Sequence, residues 1–143
     1  MFKFESVDDL KKLEKEAAFP DRLHEKTIYK SLKRVAKNFP SRPAVSFQIT
    51  SKPGSKSETY TWSELHEIVV KAANAFRKVG ISKDDVIAFV LPNCSETAIT
   101  FLAGAITGIV NPINALLEPK QISHILRETN AKAIVTLAPM LKT

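Results

Sequence analysis

The feature that most limits what this chain can fold into is a helix-sized run without charge. From Ala98 to Val110 the sequence reads AITFLAGAITGIV. A helix that is apolar on nearly every side must be covered on nearly every side. Membrane burial would cover it, but a bilayer span needs about 20 such residues and this run is shorter. The N-terminus, MFKFESVDDLKKLEKEAAF, has no apolar core of signal-peptide length. The single cysteine, Cys94, excludes an intramolecular disulfide and a Cys-only metal site, and fits a reducing compartment. These features predict a cytoplasmic chain with no transmembrane segment.

The rest of the pattern supplies the elements around that run. SVDDLKKLEKEAA predicts a short helix capped by Ser6 with Asp9 at the third position. Ala17–Leu23 reads as a connector. In TIYKSLKRVAKNF, Ile28, Leu32, Val35, Ala36 and Phe39 fall on one stripe, so a second helix is expected, ended by Pro40. Val45, Phe47 and Ile49 alternate with polar neighbours over Pro43–Thr50, the mark of a half-buried strand. The polar turn Ser51–Glu58 and the segment Thr59–Trp62 then predict a hairpin. Thr61 and Glu64 match a capping box. Leu65, Ile68, Val69, Ala72, Ala73, Phe76 and Val79 follow at helical spacing, and Gly80 stands where a left-handed cap is expected. Asp85–Pro92 is a continuous apolar run, as in strands buried on both faces of a parallel sheet. Asn93 is expected to cap the uncharged helix, which ends near Gly108. A short strand follows, then a helix starting at Pro119 with Glu118 as cap, then the strand AKAIVTL. From Val86 onward strand and helix alternate. The fold class is therefore α/β, with strands and helices around a largely parallel sheet, an N-terminal helix pair and a hairpin.

Charge is uneven. Residues 1–60 hold 13 Lys/Arg against 8 Asp/Glu, whereas residues 61–143 hold 8 against 7. Lys26, Lys30, Lys33, Arg34 and Lys37 line the side of the second helix opposite Ile28, Leu32 and Val35. Such a face can attract phosphates or an anionic membrane, but solvation alone also accounts for it. No nucleic-acid partner is expected. His24, His66 and His124 are far apart and lack metal-ligand spacing. Cys94 sits near a helix start, where a thiol can be activated, but no partner base lies nearby in sequence. Asp84 and Asp85 are neighbours before a strand and so point apart. Gly104 and Gly108 form a G-x-x-x-G that permits close approach of another backbone. No catalytic, cofactor-binding or metal-binding residue is assigned.

Read together, "YTWSELHEIVVKAANAFRKVGISKDDVIAFVLPN", the "PIN" segment and "EPKQISHILRETNAKAIV" resemble the N-terminal region of the AMP-binding, adenylate-forming enzymes. Among these, acyl-CoA synthetases are the nearest in pattern. The resemblance covers about residues 24–137. Each landmark is mainly a packing pattern, and their order and spacing give the specificity. Ala115 stands where the family has the second proline of P-x-N-P. The resemblance implies a ligase that uses ATP, magnesium and coenzyme A to activate a carboxylic acid, here a fatty acid, as an acyl-adenylate and pass it to the thiol. The family's phosphate loop ending in Pro-Lys-Gly, its Tyr-Gly-x-Thr-Glu segment, its ribose-binding Asp and its C-terminal-domain Lys have no counterpart here, and are expected beyond Thr143. Residues 1–23 are then an N-terminal helix and connector. Residues 24–143 are part of the AMP-binding domain, incomplete at the C-terminus, and form a scaffold whose partner is the rest of its own chain.

A free-standing binding module using the basic helix face is the alternative. An unrelated nucleotide-binding α/β protein is disfavoured because no G-x-x-x-x-G-K-[ST] occurs. The uncharged helix Ser95–Thr107 is either the central helix of this small unit or, as is rather expected, packs against protein outside these 143 residues. Ile99, Leu102 and Ile106 would lie on the sheet strand Val86–Leu91, and Phe101, pointing elsewhere, would drive self-association.

Overall fold

Local rules start most of the helices in the computed structural model, which describes residues 5–139. Met1–Phe4 and Met140–Thr143, the outer ends of the two expected regions, lie outside the described residues. Helix α1 (Val7–Glu16) is capped reciprocally by Ser6 and Asp9, as the sequence predicts. The expected connector contains a one-turn helix, α2 (Phe19–Arg22). Pro20 in its first turn is already set to a helical φ, and Arg22 Nε donates to Ala17 O at 2.9 Å. Helix α3 (Ile28–Asn38) begins at Thr27, whose hydroxyl accepts from the Lys30 amide. The hairpin pairs β1 (Pro43–Gln48) with β2 (Ser57–Thr61), antiparallel.

The last residue of β2 is also the cap of the next helix. Thr61 and Glu64 close the expected capping box at the start of α4 (Trp62–Lys78). Gly80, at φ +88°, takes the left-handed turn that releases the chain into β3 (Val86–Val90). Helix α5 (Ser95–Thr107), strand β4 (Ile109–Pro112), helix α6 (Pro119–Glu128) and strand β5 (Ala131–Thr136) follow. The parallel sheet has the order β4-β3-β5. Moving from β4 to β5 reverses the direction taken from β3 to β4. A constant hand of crossover therefore puts α5 and α6 on opposite faces. The packing agrees: Gly104 of α5 faces the Ile87 side chain, whereas Ala88 and Val90 pack with Ile122, Ile125 and Leu126 of α6. Strand β3 is thus covered on both sides, and Ile87 to Val90 are each 4% exposed or less.

Two expectations about α5 need correction. Its cap is Cys94, not Asn93, and the Cys94 side chain makes no capping bond. The Thr97 hydroxyl donates to Pro92 O at 2.5 Å and meets Cys94 Sγ at 3.3 Å, which winds the start one residue later. Nor do Ile99, Leu102 and Ile106 lie on the sheet. Ile99 and Ala103 join Leu32 of α3 and Leu65, Val69 and Ala73 of α4 in one buried core, with Leu102 and Ile106 packed against it. The large apolar side chains therefore face helices, and the sheet is met by the small side. A Cβ on Gly104 would stand 3.2 Å from Val110 Cγ2, and one on Gly108 would stand 2.5 Å from Asp85 O. The G-x-x-x-G permits close approach, to a side chain at the first glycine and to backbone at the second. Phe101 does point away from that core and remains 43% exposed.

Candidate functional site

Polar chemistry in the described residues gathers at two places, one at each end of the β3 region. The first is the N-terminus of α5. Glu58 and Tyr60 are two residues apart on β2 and so share a face. The Tyr60 hydroxyl donates to Glu58 Oε1 at 2.9 Å, and the buried Ser95 hydroxyl donates to Glu58 Oε2 at 2.5 Å. Ser95, then Tyr60, holds the Glu58 carboxyl below its ordinary range, and Glu58 in turn raises the Tyr60 phenol. A carboxylate against a helix start is favourable, because the first amides carry partial positive charge. The arrangement fastens the hairpin to α5. It holds no free nucleophile, since the Ser95 proton is already committed and no imidazole adjoins it.

The second cluster lies at the other end of β3. Asp85 Oδ2 accepts from Ser82 N and Ser82 Oγ, both at 2.6 Å, and from Lys132 Nζ at 2.9 Å. Ser82 first, then Lys132, lowers the Asp85 carboxyl to about 2. Lys132 Nζ also donates to Gly80 O at 2.8 Å, so β5 is tied to the turn that enters β3. This is a structural knot rather than acid–base machinery, because a carboxylate held so low cannot take up a proton near neutrality.

Beside the first cluster the sheet opens where ligands bind in open α/β folds, outside the carboxyl ends of the strands. A crevice of about 490 Å³ lies there, lined by Leu91, Pro92, Asn93, Pro112, Asn114 and Leu116 among others. Its named lining side chains carry no charge. A nucleotide's phosphates need a run of free backbone amides. The Gly80 amide donates to Arg77 O at 2.9 Å and the Gly108 amide to Gly104 O at 2.8 Å. Gly104 is packed against Val110, and Gly54 stands alone at the hairpin tip. The residues present do not fit ATP phosphates, and no step of a reaction is derived through them.

The residues singled out by sequence are not brought together. His24 and His124 are exposed; His66 is half-buried on α4 with its ring 6.1 Å from that of Tyr29. Among the described residues no group of three or more His, Cys, Asp and Glu is placed to hold a metal. Asp84 points away, its carboxylate 3.8 Å from Lys83, while Asp85 enters the knot. The five cations of Lys26 and α3 stay at the surface, with Arg34 partly covered. Sequence reasoning missed Glu58, Ser95, Ser82 and Lys132. The Ser82-x-x-Asp85 spacing was a legible turn signal. Nothing local links Glu58 to Ser95, or Asp85 to Lys132.

The sequence pattern of the AMP-binding enzymes matches residues 32–143. This chain belongs to the AMP-binding enzyme family. Its curated relatives include the marinolic acid–CoA ligase of Pseudoalteromonas sp. (strain SANK 73390), 29% identical over 134 residues, which are 94% of this chain and 20% of the relative. The 4-coumarate–CoA ligase 1 of Arabidopsis thaliana is 34% identical over 86 residues, 59% of this chain and 15% of that enzyme. The chain thus spans a fifth or less of the length of these two relatives. Among solved structures, a fatty acyl CoA synthetase of Mycobacterium tuberculosis superposes with a TM-score of 0.68 at 25% identity, over 80% of this chain and 22% of that one. The α/β architecture with its three parallel strands is that of the N-terminal subdomain of these AMP-binding enzymes. No helix among the described residues is long and apolar enough to cross a membrane.

Proposed function

We propose that this chain is the N-terminal segment of a longer, cytoplasmic acyl-CoA synthetase. That enzyme uses ATP and magnesium to activate a carboxylic acid, a fatty acid by class, and passes the acyl group to coenzyme A. The observation that carries this reading is the family match over residues 32–143. Three relatives of different acid specificity, named for marinolic, 4-coumaric and acetic acids, share coenzyme A ligase chemistry and not a substrate, so the acceptor is better supported than the acid. The superposition on a fatty acyl CoA synthetase supports the fatty-acid class.

Within such an enzyme the segment acts as scaffold. The β3–α5 unit is a rigid block, because β3 is buried on both faces and α5 is clamped by α3, α4 and the sheet. Its own polar clusters join hairpin to helix and strand to turn, and neither presents a reactive group.

Pyrophosphate exchange into ATP tests the proposal. The 143-residue chain alone is expected to give none with any acid offered. The polypeptide encoded by the whole reading frame is expected to exchange in the presence of a fatty acid and to form a thioester when coenzyme A is added. Acid-dependent exchange by the short chain would remove its role as scaffold. A long polypeptide that exchanges with no acid in a panel from acetate to palmitate would remove the ligase reading.

A further inference from the structure

Helix α3 differs from its neighbours in how its charge is handled. Ile28–Asn38 contains Lys30, Lys33, Arg34 and Lys37 and no acidic residue. At about 100° per residue these four fall within an arc of about 100°, whose centre lies about 130° round the helix from the buried Leu32 and Ala36, with Arg34 partly covered. Elsewhere among the described residues some cations find partners, Lys11 with Asp8, Lys12 with Asp9, Lys71 with Glu67, and Lys132 with Asp85, whereas Lys78, Lys120 and Arg127 have no ion pair but share their helices with acidic residues. Among the described residues no ion pair engages Lys26 or any of the four α3 cations. Glu25, just before the helix, is the nearest acid in sequence and pairs with none of them.

Apolar and aromatic side chains border the same face. Tyr29, 39% exposed, adjoins the arc, with Lys33 Nζ 6.0 Å from its ring centre. Ile28 and Phe39, each 42% exposed, stand at the two ends of the helix, and Arg42 lies over the Phe39 ring at 4.7 Å. Along one flank runs an apolar groove of about 500 Å³, whose lining includes Ile28, Val35, Val45, Trp62 and Leu102, with Lys26 among its few charged residues.

We propose that the outward face of α3 docks onto an anionic lipid bilayer. Cations with long stems sit at such a surface with their apolar stems toward the hydrocarbon, and half-exposed aromatic residues beside them fit the headgroup layer. Unpaired charge matters here, because a cation already in an ion pair would have to break it to meet a lipid phosphate. Bound phosphate esters in solution would use the charges but not the flanking Ile28, Tyr29 and Phe39. A polynucleotide could use both, and is the competing outcome of the test.

The test is co-sedimentation of the full chain with vesicles of phosphatidylcholine containing about 30% phosphatidylserine, and with vesicles of phosphatidylcholine alone. Each cation near an anionic surface contributes about a fivefold gain in binding. Binding to the anionic vesicles only, weakened by raised salt, is expected. The variant K30Q/K33Q/R34Q/K37Q is expected to lose about 600-fold, fivefold for each of four cations, with an unchanged circular dichroism spectrum, while K30R/K33R/K37R retains binding. Equal binding by the neutral variant, equal binding to both vesicle types, or salt-insensitive binding would overturn the proposal. So would absence of vesicle binding, including when single-stranded oligonucleotide is bound instead.

Discussion

The two faces of β3 are finished to different degrees, and in the reverse of the order their helices suggest. Helix α5 carries apolar residues all round its circumference, yet it buries Ile99, Thr100, Ala103, Gly104 and Thr107 within this chain. Helix α6 carries a clean apolar stripe, the kind of face that a single sheet can satisfy, yet none of its residues is fully buried. Around it Leu116 is 91% exposed, Ile134 45% and Leu137 39%. The difference lies in the number of layers. Helix α5 has the sheet on one side and α3 and α4 on the other, whereas α6 has only the sheet. Hydrophobic pattern reports which side of a helix wants cover, and layer count decides whether cover arrives.

The sharpest way to break this comparison is to truncate one core residue on each face. Leu65, 2% exposed, sits among α3, α4 and α5. Leu65→Ala is expected to cost about 2–5 kcal/mol, the range for a large side chain removed from a packed core. Ile125, half-buried on α6, packs against the smaller core around Ala88 and Val90. Ile125→Ala is expected to cost about 1 kcal/mol, since much of its surface already meets water. Urea denaturation of both variants checks the pair. Equal losses would show that the α6 face is as consolidated as the α5 face.

A second substitution probes how tightly α5 meets the sheet. A Cβ on Gly108 would lie 2.5 Å from Asp85 O and 2.8 Å from Ser82 O, and backbone cannot swing aside as a flexible side chain can. Gly108→Ala is expected to cost about 1–3 kcal/mol through forced displacement of the β3 entry turn. Gly80→Ala, with nothing within 4 Å of its Cβ, should cost only the strain of φ +88°. Thermal melts of the two variants separate crowding from backbone strain. A Gly108→Ala protein as stable as the parent would mean that the turn can shift freely.

The smallest effect concerns the knot at the start of β3. Asp85 is held at about 2 against an ordinary 3.8, chiefly by Ser82 and then by Lys132. Its contribution is therefore complete above about pH 4 and is lost as pH falls through the folded value. Asp85→Asn is expected to lower stability at pH 7, with the deficit shrinking toward pH 2, where the parent has also lost its charge. A deficit that does not vary with pH would assign the role of Asp85 to geometry rather than to charge.

Much of the secondary structure was legible because it rests on neighbours. Ser6 with Asp9 and Thr61 with Glu64 close their rings within three residues, and Gly80 supplies its own backbone freedom. Strand β3 was legible because burial on both faces leaves an unbroken apolar run. The cap of α5 was misjudged by one residue because Asn93 and Cys94 are both possible starts, and the Thr97 hydroxyl, bonded to Pro92 O, chooses between them. The short helix Phe19–Arg22 was read as connector because one turn leaves no periodicity to detect.

The sequence by itself determined most of the elements, since each depends on residues within a few positions of one another, and the family, since the order and spacing of those elements carry its pattern. Tertiary structure alone decided what those elements meet. It placed the apolar side of α5 against α3 and α4 rather than against the sheet. It brought Ser95 to Glu58 across 37 positions and Lys132 to Asp85 across 47. A side chain's partner across such distances is set by how whole layers stack, and no local pattern of residues records that choice.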